Sequence, residues 1–135
     1  MKRFVIATHG NFAAGILDSM DLIMGKQENF EAFCAYCDGE NDIKERVRRL
    51  IESKKSDEDL IVVTDLLRGS VNNEFMGYTE VPGVYVVAGM NLALLLELQV
   101  NQDEDTPDMI RGAIQTAQET IVYCNEKNEV QDEEF

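Results

Sequence analysis

The segment Leu60–Thr64, with the sequence LIVVT, is the feature that most constrains how this chain folds. An apolar run without polar alternation is typical of a strand that is buried on both faces, and such strands occur in parallel sheets covered by helices. Phe4–Thr8, Phe30–Tyr36 and Val84–Ala88 have a similar length and character. The chain is therefore predicted to build a parallel sheet from these four segments.

Segments with helical periodicity lie between the predicted strands. In the segment Asp42–Ser53, Val47 and Ile51 share one face and charged residues cover the other. The other predicted helices are Ala13–Met24, Ser70–Tyr78, Leu92–Leu98 and a last helix from Thr106 to near Tyr123. Because strands and helices alternate, right-handed parallel βαβ units are expected. The predicted fold class is α/β: a single-domain, doubly wound open sheet, mostly parallel, with helices on both faces.

The composition fits one domain of ordinary size. A chain of 135 residues with 44% hydrophobic residues can bury one core. No apolar run reaches the length of a membrane span, and the apolar stretch behind the basic N-terminus is too short for a signal peptide. We therefore expect a cytoplasmic protein. The three cysteines are an odd number, which argues against a disulfide framework.

The formal net charge of −14 limits the kinds of partner. Nucleic acid is disfavoured, because phosphate backbones are bound by basic surfaces. An acidic surface attracts basic protein partners, although a high net charge can also serve solubility alone. Five acidic residues and one lysine fall within residues 126–135. We expect these residues to form an acidic C-terminal tail behind a domain of residues 1–125.

Two titratable side chains stand at the ends of predicted strands. His9, the only histidine, follows the first strand, and Asp65 follows the third. Each residue alone has an ordinary structural interpretation, as a hydrogen-bonded histidine or a loop aspartate. However, the carboxyl ends of parallel strands share one edge, where open α/β sheets bind ligands. A carboxylate that accepts from Nδ1–H would leave Nε2 of His9 free to attack phosphorus.

The residues beside this pair are suited to an anion. The helix predicted to start at Ser70 directs backbone N–H groups and its positive dipole end toward the same edge, which Gly10 also borders. The Gly69-Ser70 segment lacks the lysine of a nucleotide-binding P-loop. Phosphoryl transfer depends mainly on positioning and charge stabilisation, so we expect it to proceed here without a metal or an organic cofactor.

The segment Cys34-Ala35-Tyr36-Cys37 has the spacing of a redox pair. Redox pairs normally stand at a helix N-terminus, where the thiol pKa falls, whereas this pair ends a predicted strand. We interpret the cysteines as packing residues, and zinc is disfavoured because no second ligand pair follows. A thiol oxidoreductase is the alternative that this motif leaves open.

Three segments together resemble the enzyme IIA components of the mannose-type sugar phosphotransferase system. They are His9-Gly10 with Ala13-Ala14-Gly15 behind it, Thr64–Asn72 (TDLLRGSVN) and Ala88–Glu97 (AGMNLALLLE), and the likeness runs through nearly the whole chain. The resemblance implies a cytoplasmic phosphotransferase with a phosphohistidine intermediate. His9 would take a phosphoryl group from phospho-HPr and pass it to the enzyme IIB component, while the membrane components IIC and IID import the sugar.

The resemblance also implies roles for particular residues and an assembly. The residue matching Asp65 orients the histidine, and the residue matching Ser70 helps to hold the phosphate. Family members form homodimers that exchange a C-terminal antiparallel strand. A regulatory module that HPr phosphorylates, and that serves a dihydroxyacetone kinase or a transcription regulator, is the alternative. The predicted phosphate-binding residues are Gly10, Arg68, Gly69, Ser70 and Asn72.

The chain departs from the family pattern at three positions. Arg68 and Val71 stand where the family has glycine and proline, and Ala93 stands where it has proline. Proline at the first position of a helix is favoured but not required. A glycine site that needs positive φ resists arginine, so Arg68 is the departure that matters. Its side chain either contacts phosphate or a partner, or is a solvated loop side chain.

Overall fold

The computed structural model describes residues 1–126, which form a parallel sheet between two layers of helices. The strands are β1 (Lys2–His9), β2 (Phe30–Ala35), β3 (Asp59–Thr64) and β4 (Val84–Ala88). The helices are α1 (Phe12–Met24), α2 (Lys44–Glu52), α3 (Ser70–Met76), α4 (Leu92–Val100) and α5 (Thr106–Gln118), followed by a 3-10 turn at Cys124–Glu126. Every strand pair is parallel, and the predicted doubly wound α/β class is confirmed.

The strand order is β2-β1-β3-β4, so the chain reverses its direction of winding after β2. It runs outward from β1 to β2, and then crosses back to place β3 on the other side of β1. β1 and β3 are in register with Ala7 beside Thr64, so both strands end at the same edge of the sheet, with β1 two residues longer. A reversal of this kind leaves a crevice beyond the carboxyl ends of the two central strands.

Both faces of the sheet are buried, which explains why its strands read as continuous apolar runs. Side chains alternate between the faces of a strand. Phe4 and Ile6 pack with α1, α4 and α5, whereas Val5 and Ala7 pack with α2 and α3. All four of these side chains are at most 1% exposed. A polar substitution at any of them would leave an unpaired polar group in the core.

The loop beyond β4 ends where an asparagine caps the next helix. The backbone of Asn91 is extended, and its side-chain oxygen accepts a hydrogen bond from the N–H of Leu94 at 2.9 Å. This bond satisfies one of the free donors in the first turn of α4.

The prediction that the last helix reaches Tyr123 is wrong. Helix α5 ends at Gln118, one residue after Ala117, the last buried residue of the described chain. Ile121 and Tyr123 are 78% and 65% exposed. Most helical stability in proteins comes from packing an apolar face, and this segment packs no such face against the domain.

The C-terminal predictions fall mainly beyond the described residues. Of the predicted acidic tail, residues 126–135, the structure describes only Glu126. The described chain contains no strand after β4, so the exchanged strand stays a prediction. None of the helices between Met1 and Glu126 has the length and apolar character that a membrane crossing requires.

Candidate functional site

The carboxyl ends of β1 and β3 bring His9 and Asp65 into direct contact. Oδ2 of Asp65 accepts hydrogen bonds from the backbone N–H and from the ring Nδ1–H of His9, both at 2.9 Å. Oδ1 accepts from the backbone N–H of Leu66 at 3.0 Å. The carboxylate is therefore held on both sides, and it fixes the backbone and the ring of His9 together.

The electrostatics of this pair favour an ionised aspartate. The Asp65 side chain is only 9% exposed, and burial by itself would raise the pKa of its carboxyl. The hydrogen bonds from the backbone and ring of His9 outweigh burial and hold the pKa of Asp65 below its usual value. An ionised carboxylate can only accept, so Nδ1 of His9 carries the proton. In the neutral ring, Nε2 then keeps a free lone pair.

Two hydroxyl groups line up beside Nε2 of His9. Oγ of Ser70, at the start of α3, lies 3.3 Å from Nε2. The Tyr36 hydroxyl donates to Oγ of Ser70 at 2.8 Å, and its ring lies 5.7 Å from the His9 ring, centroid to centroid. Ser70 was predicted at this edge, but Tyr36 was missed because it was assigned to the second strand. The Asp38-Gly39 turn, which begins two residues after Tyr36, is the sequence signal that the strand ends earlier.

Gly69 leaves space at this site that a side chain would crowd. Its φ is −72°, which any residue adopts. A Cβ at this position would lie 3.2 Å from Cβ of Leu66 and 3.4 Å from Cε1 of His9. The missing side chain therefore lets the loop after β3 pass directly against the histidine ring.

Arg68 has the left-handed backbone that its replacement of glycine suggests, with φ at 67°. Its N–H donates to Oδ1 of Asn72 at 3.1 Å, and its carbonyl accepts from Nδ2 of Asn73 at 3.2 Å. A left-handed backbone costs about 1–2 kcal/mol for a residue with a Cβ. The Arg68 side chain is exposed, and its guanidinium bonds to no other residue of the described chain.

Two of the predicted phosphate-binding residues occupy supporting positions. Asn72 is 2% exposed, and its amide bonds to the N–H of Arg68 and to Oγ1 of Thr64. Gly10 has φ at 59°, and its N–H donates to the carbonyl of Ala35 at 2.8 Å. The polar side chain of Asn72 and the N–H of Gly10 are thus already engaged within the chain.

The cysteine motif does not have the geometry of a redox pair. Cys34 lies within β2 and Cys37 follows it, while the next helix begins only at Lys44. Both thiols are free, and the Cys37 thiol donates to Oδ1 of Asn11 at 3.4 Å. Within residues 1–126, no group of three or more histidine, cysteine or acidic side chains is arranged to hold a metal ion.

Comparisons with known proteins agree on one family. A family model described as "PTS system fructose IIA component" matches residues 3–115. The sorbose-specific EIIA component of the phosphotransferase system (PTS) of Klebsiella pneumoniae is 30% identical, over the full length of both chains. These relatives are components of sugar-specific systems.

Solved structures give the same result. A Klebsiella pneumoniae chain ascribed to a phosphoenolpyruvate-dependent sugar PTS permease superposes with a TM-score of 0.89, at 38% identity and 93% coverage of both chains. The EIIA component of Streptococcus agalactiae superposes with a TM-score of 0.80, at 30% identity, covering 93% of this chain and 98% of that one.

Proposed function

This chain belongs to the mannose-type family of enzyme IIA components of the sugar phosphotransferase system, and on that premise we propose that Nε2 of His9 carries a phosphoryl group. The hydrogen bond from Nδ1–H of His9 to the Asp65 carboxylate is the observation that carries this proposal. It leaves Nε2 as the nucleophilic nitrogen, on a ring that is 42% exposed and open to a partner.

The proposed reaction is a transfer between two proteins. The Nε2 lone pair attacks the phosphorus of phospho-HPr, and the bond from phosphorus to the donor atom breaks, with its electron pair returning to the donor. Phosphorylation makes the His9 ring cationic while Nδ1 keeps its proton, and the Asp65 carboxylate at 2.9 Å stabilises that charge. The reverse chemistry passes the group to the enzyme IIB component.

Around the phosphoryl group, we assign donors from the loop after β3. The Ser70 hydroxyl, 3.3 Å from Nε2, turns toward a phosphoryl oxygen as the donor approaches, which frees the Nε2 lone pair for attack. Gly69 gives the loop its close approach to the ring, and the exposed Arg68 guanidinium is free to contact the group or the partner. Gly10 and Asn72 hold the loops in shape through their hydrogen bonds within the chain.

We propose that the surface beside His9 that docks the partner is apolar, on a chain that is acidic as a whole. Phe12, at the start of α1, and Leu66 and Leu67, in the loop after β3, are 52%, 60% and 66% exposed. Exposed apolar groups of this kind mark protein-interaction sites. The net charge of −14 would accelerate encounters with a basic face on HPr or the IIB component.

We also propose that the protein is a homodimer that exchanges its C-terminal segment. β4 is an edge strand, and a groove of about 370 Å³ between it and α5 is lined by apolar residues such as Val86 and Ile110. The exposed Ile121 and Tyr123 begin the segment that would cross to the partner. Light scattering should give a dimer for the full chain and a monomer for a chain that ends at Gln118.

The decisive experiment is reconstitution with enzyme I, HPr and phosphoenolpyruvate. The full chain should acquire acid-labile phosphate only when HPr is present, and the His9→Ala variant should acquire none. A Cys34→Ser/Cys37→Ser variant is the matched control and should accept phosphate normally. Phosphate on the His9→Ala variant would refute the proposal.

Transport, rather than a regulatory role, is the favoured use of the phosphate, because the relatives are sugar-specific components. Transfer onward distinguishes the two roles. The phosphorylated protein should lose its phosphate rapidly to the enzyme IIB component of a mannose-type system.

A further inference from the structure

We propose that Tyr36 is a positioning residue for phosphoryl transfer, and that it acts by orienting the Ser70 hydroxyl toward Nε2 of His9. The inference rests on the proposed function and extends the site to the loop after β2. The evidence is two contacts that link Tyr36 to His9 through Ser70. The Tyr36 hydroxyl donates to Oγ of Ser70 at 2.8 Å, and Oγ in turn lies 3.3 Å from Nε2.

The direction of these hydrogen bonds follows from the aspartate. Because Asp65 can only accept, Nδ1 of His9 donates to it, and Nε2 of the neutral ring must accept. Ser70 therefore uses its only proton on Nε2, which leaves its oxygen to accept from Tyr36. Each hydroxyl polarises the next along such a series.

Without the tyrosine hydroxyl, the Ser70 hydroxyl would lose the partner that selects its direction. A serine hydroxyl rotates to suit its surroundings, and an exposed one readily turns to water. Tyr36 therefore orients the Ser70 proton before the donor arrives. As the phosphoryl donor approaches, the proton turns from Nε2 to the nearest phosphoryl oxygen and frees the lone pair for attack, while Tyr36 stays bonded to Oγ. Because Tyr36 already holds Oγ beside Nε2, only this rotation is needed to bring the Ser70 donor to the oxygen where charge develops in the transition state.

The backbone of Tyr36 supports the same inference. Its φ is 65°, a left-handed conformation that is unfavourable for an aromatic residue. Oε1 of Glu40 accepts from the N–H of Tyr36 at 2.8 Å, and Arg46 binds Glu40 at 3.1 Å. Arg46 also donates to the carbonyl of Cys34 at 3.2 Å, and its guanidinium carbon lies 3.9 Å above the ring of Phe33.

This bracing holds a strained residue in place beside the functional histidine. Backbone strain persists only where the surroundings over-determine it, and it is concentrated at functional sites. The left-handed turn at Tyr36 directs its ring back over the crevice instead of along the strand. The effect of the whole arrangement is to present one hydroxyl to Ser70.

A double-mutant cycle with Tyr36→Phe and Ser70→Ala tests the proposal. Phenylalanine keeps the ring beside His9 and removes only the hydroxyl. We expect Tyr36→Phe to lower kcat for transfer from phospho-HPr by about three- to tenfold, as for one hydrogen bond, with KM unchanged. In the Ser70→Ala background the same change should have no further effect. Tyr85→Phe, on β4, is the matched control and should match the wild type.

A readout without phosphate is the ¹⁵N chemical shift of Nε2 in His9. Tyr36→Phe and Ser70→Ala should move it in the same direction, and Tyr85→Phe should not. An active wild type together with an unchanged Tyr36→Phe variant overturns this inference alone. An equal loss of rate in both backgrounds also overturns it, because Tyr36 would then not act through Ser70. A wild type that accepts no phosphate overturns the proposed function, and this inference with it.

Discussion

The loops after β2 and β3 approach the same histidine from two sides, and they share one backbone feature. Besides Asp38 at φ 55° in the loop after β2, each loop contains a left-handed residue that is not glycine, Tyr36 at φ 65° and Arg68 at φ 67°. In each loop, the N–H of that residue donates to a side chain four positions later, Glu40 in one and Asn72 in the other. The two strained turns are therefore held in the same way.

The difference between the loops lies in what anchors the acceptor. Asn72 is 2% exposed and also bonds to Thr64 in the core, so the loop after β3 is tied to the sheet. Glu40 has a side chain that is 22% exposed, and it is braced by Arg46 at the surface. We infer that the loop after β3 fixes the chemistry of His9, while the loop after β2 adjusts its efficiency. This contrast ranks the effects of substitutions.

The largest effect should come from Asp65→Asn in the loop after β3. An amide NH₂ facing Nδ1 favours the tautomer that carries its proton on Nε2, so the nucleophile is lost. Transfer from phospho-HPr in a single turnover should slow about 100-fold or more. Glu40→Gln is the matched carboxylate-to-amide control in the other loop, and should stay within about threefold of wild type, as expected for one modest hydrogen bond. If the Asp65→Asn variant is as active as Glu40→Gln, the inference that the loop after β3 matters more for transfer is wrong.

A smaller effect is expected from Gly69→Ala. The new Cβ would lie 3.2 Å from Cβ of Leu66 and 3.4 Å from Cε1 of His9, so the loop and the ring must separate by a few tenths of an ångström. We expect transfer to fall about tenfold, because catalysis is sensitive to small misplacements of the nucleophile. Gly77→Ala, at the other end of α3, meets nothing closer than 3.6 Å and is the matched control. Equal rates for the two variants would show that close approach at Gly69 is dispensable.

The same contrast explains which parts of the fold could be predicted. The sheet is readable from sequence because strands buried on both faces must be apolar throughout, as in Leu60–Thr64. The loop after β3 is readable because its polar residues follow directly on a strand end. The predicted extension of α5 to Tyr123 is wrong, because the residues after Gln118 have no core to pack against.

The Asp38-Gly39 turn indicates that the strand ends early, but the position of the Tyr36 hydroxyl beside Ser70 could not be predicted from the pattern. An aromatic residue at the end of an apolar run is typical of a strand, and the positive φ that turns it toward Ser70 depends on Glu40 and Arg46. These contacts are set by tertiary packing. The strain at Arg68 was readable because the family pattern places glycine there, whereas no such pattern was available at Tyr36.

The bracing of the loop after β2 can be tested by Glu40→Ala. The variant removes the acceptor for the N–H of Tyr36 and the partner of Arg46. We expect the free energy of unfolding to fall by about 1 kcal/mol, measured by urea denaturation. Transfer should decrease by no more than in Tyr36→Phe, because Glu40 acts through Tyr36. Glu45→Ala, which removes an exposed carboxylate from α2, should leave both quantities unchanged. Equal stabilities for the two variants would show that Glu40 braces nothing.

The smallest effect separates backbone strain from charge at Arg68. Arg68→Gly relieves a left-handed backbone worth about 1–2 kcal/mol, offset in part by the greater entropy of unfolded glycine, so the variant should gain under about 1 kcal/mol of stability. Arg68→Ala keeps the strain and should gain nothing, so the pair isolates the backbone contribution by denaturation.

Both Arg68 variants lack the guanidinium, so their transfer rates address its role separately from the strain. If the guanidinium contacts phosphate or HPr, both variants should transfer more slowly than the wild type and with a weaker dependence on salt. Unchanged rates and salt dependence in both would identify Arg68 as a solvated loop side chain. In that case the strained backbone of Arg68 would destabilise the fold without contributing to transfer, unlike that of Tyr36 in the loop after β2.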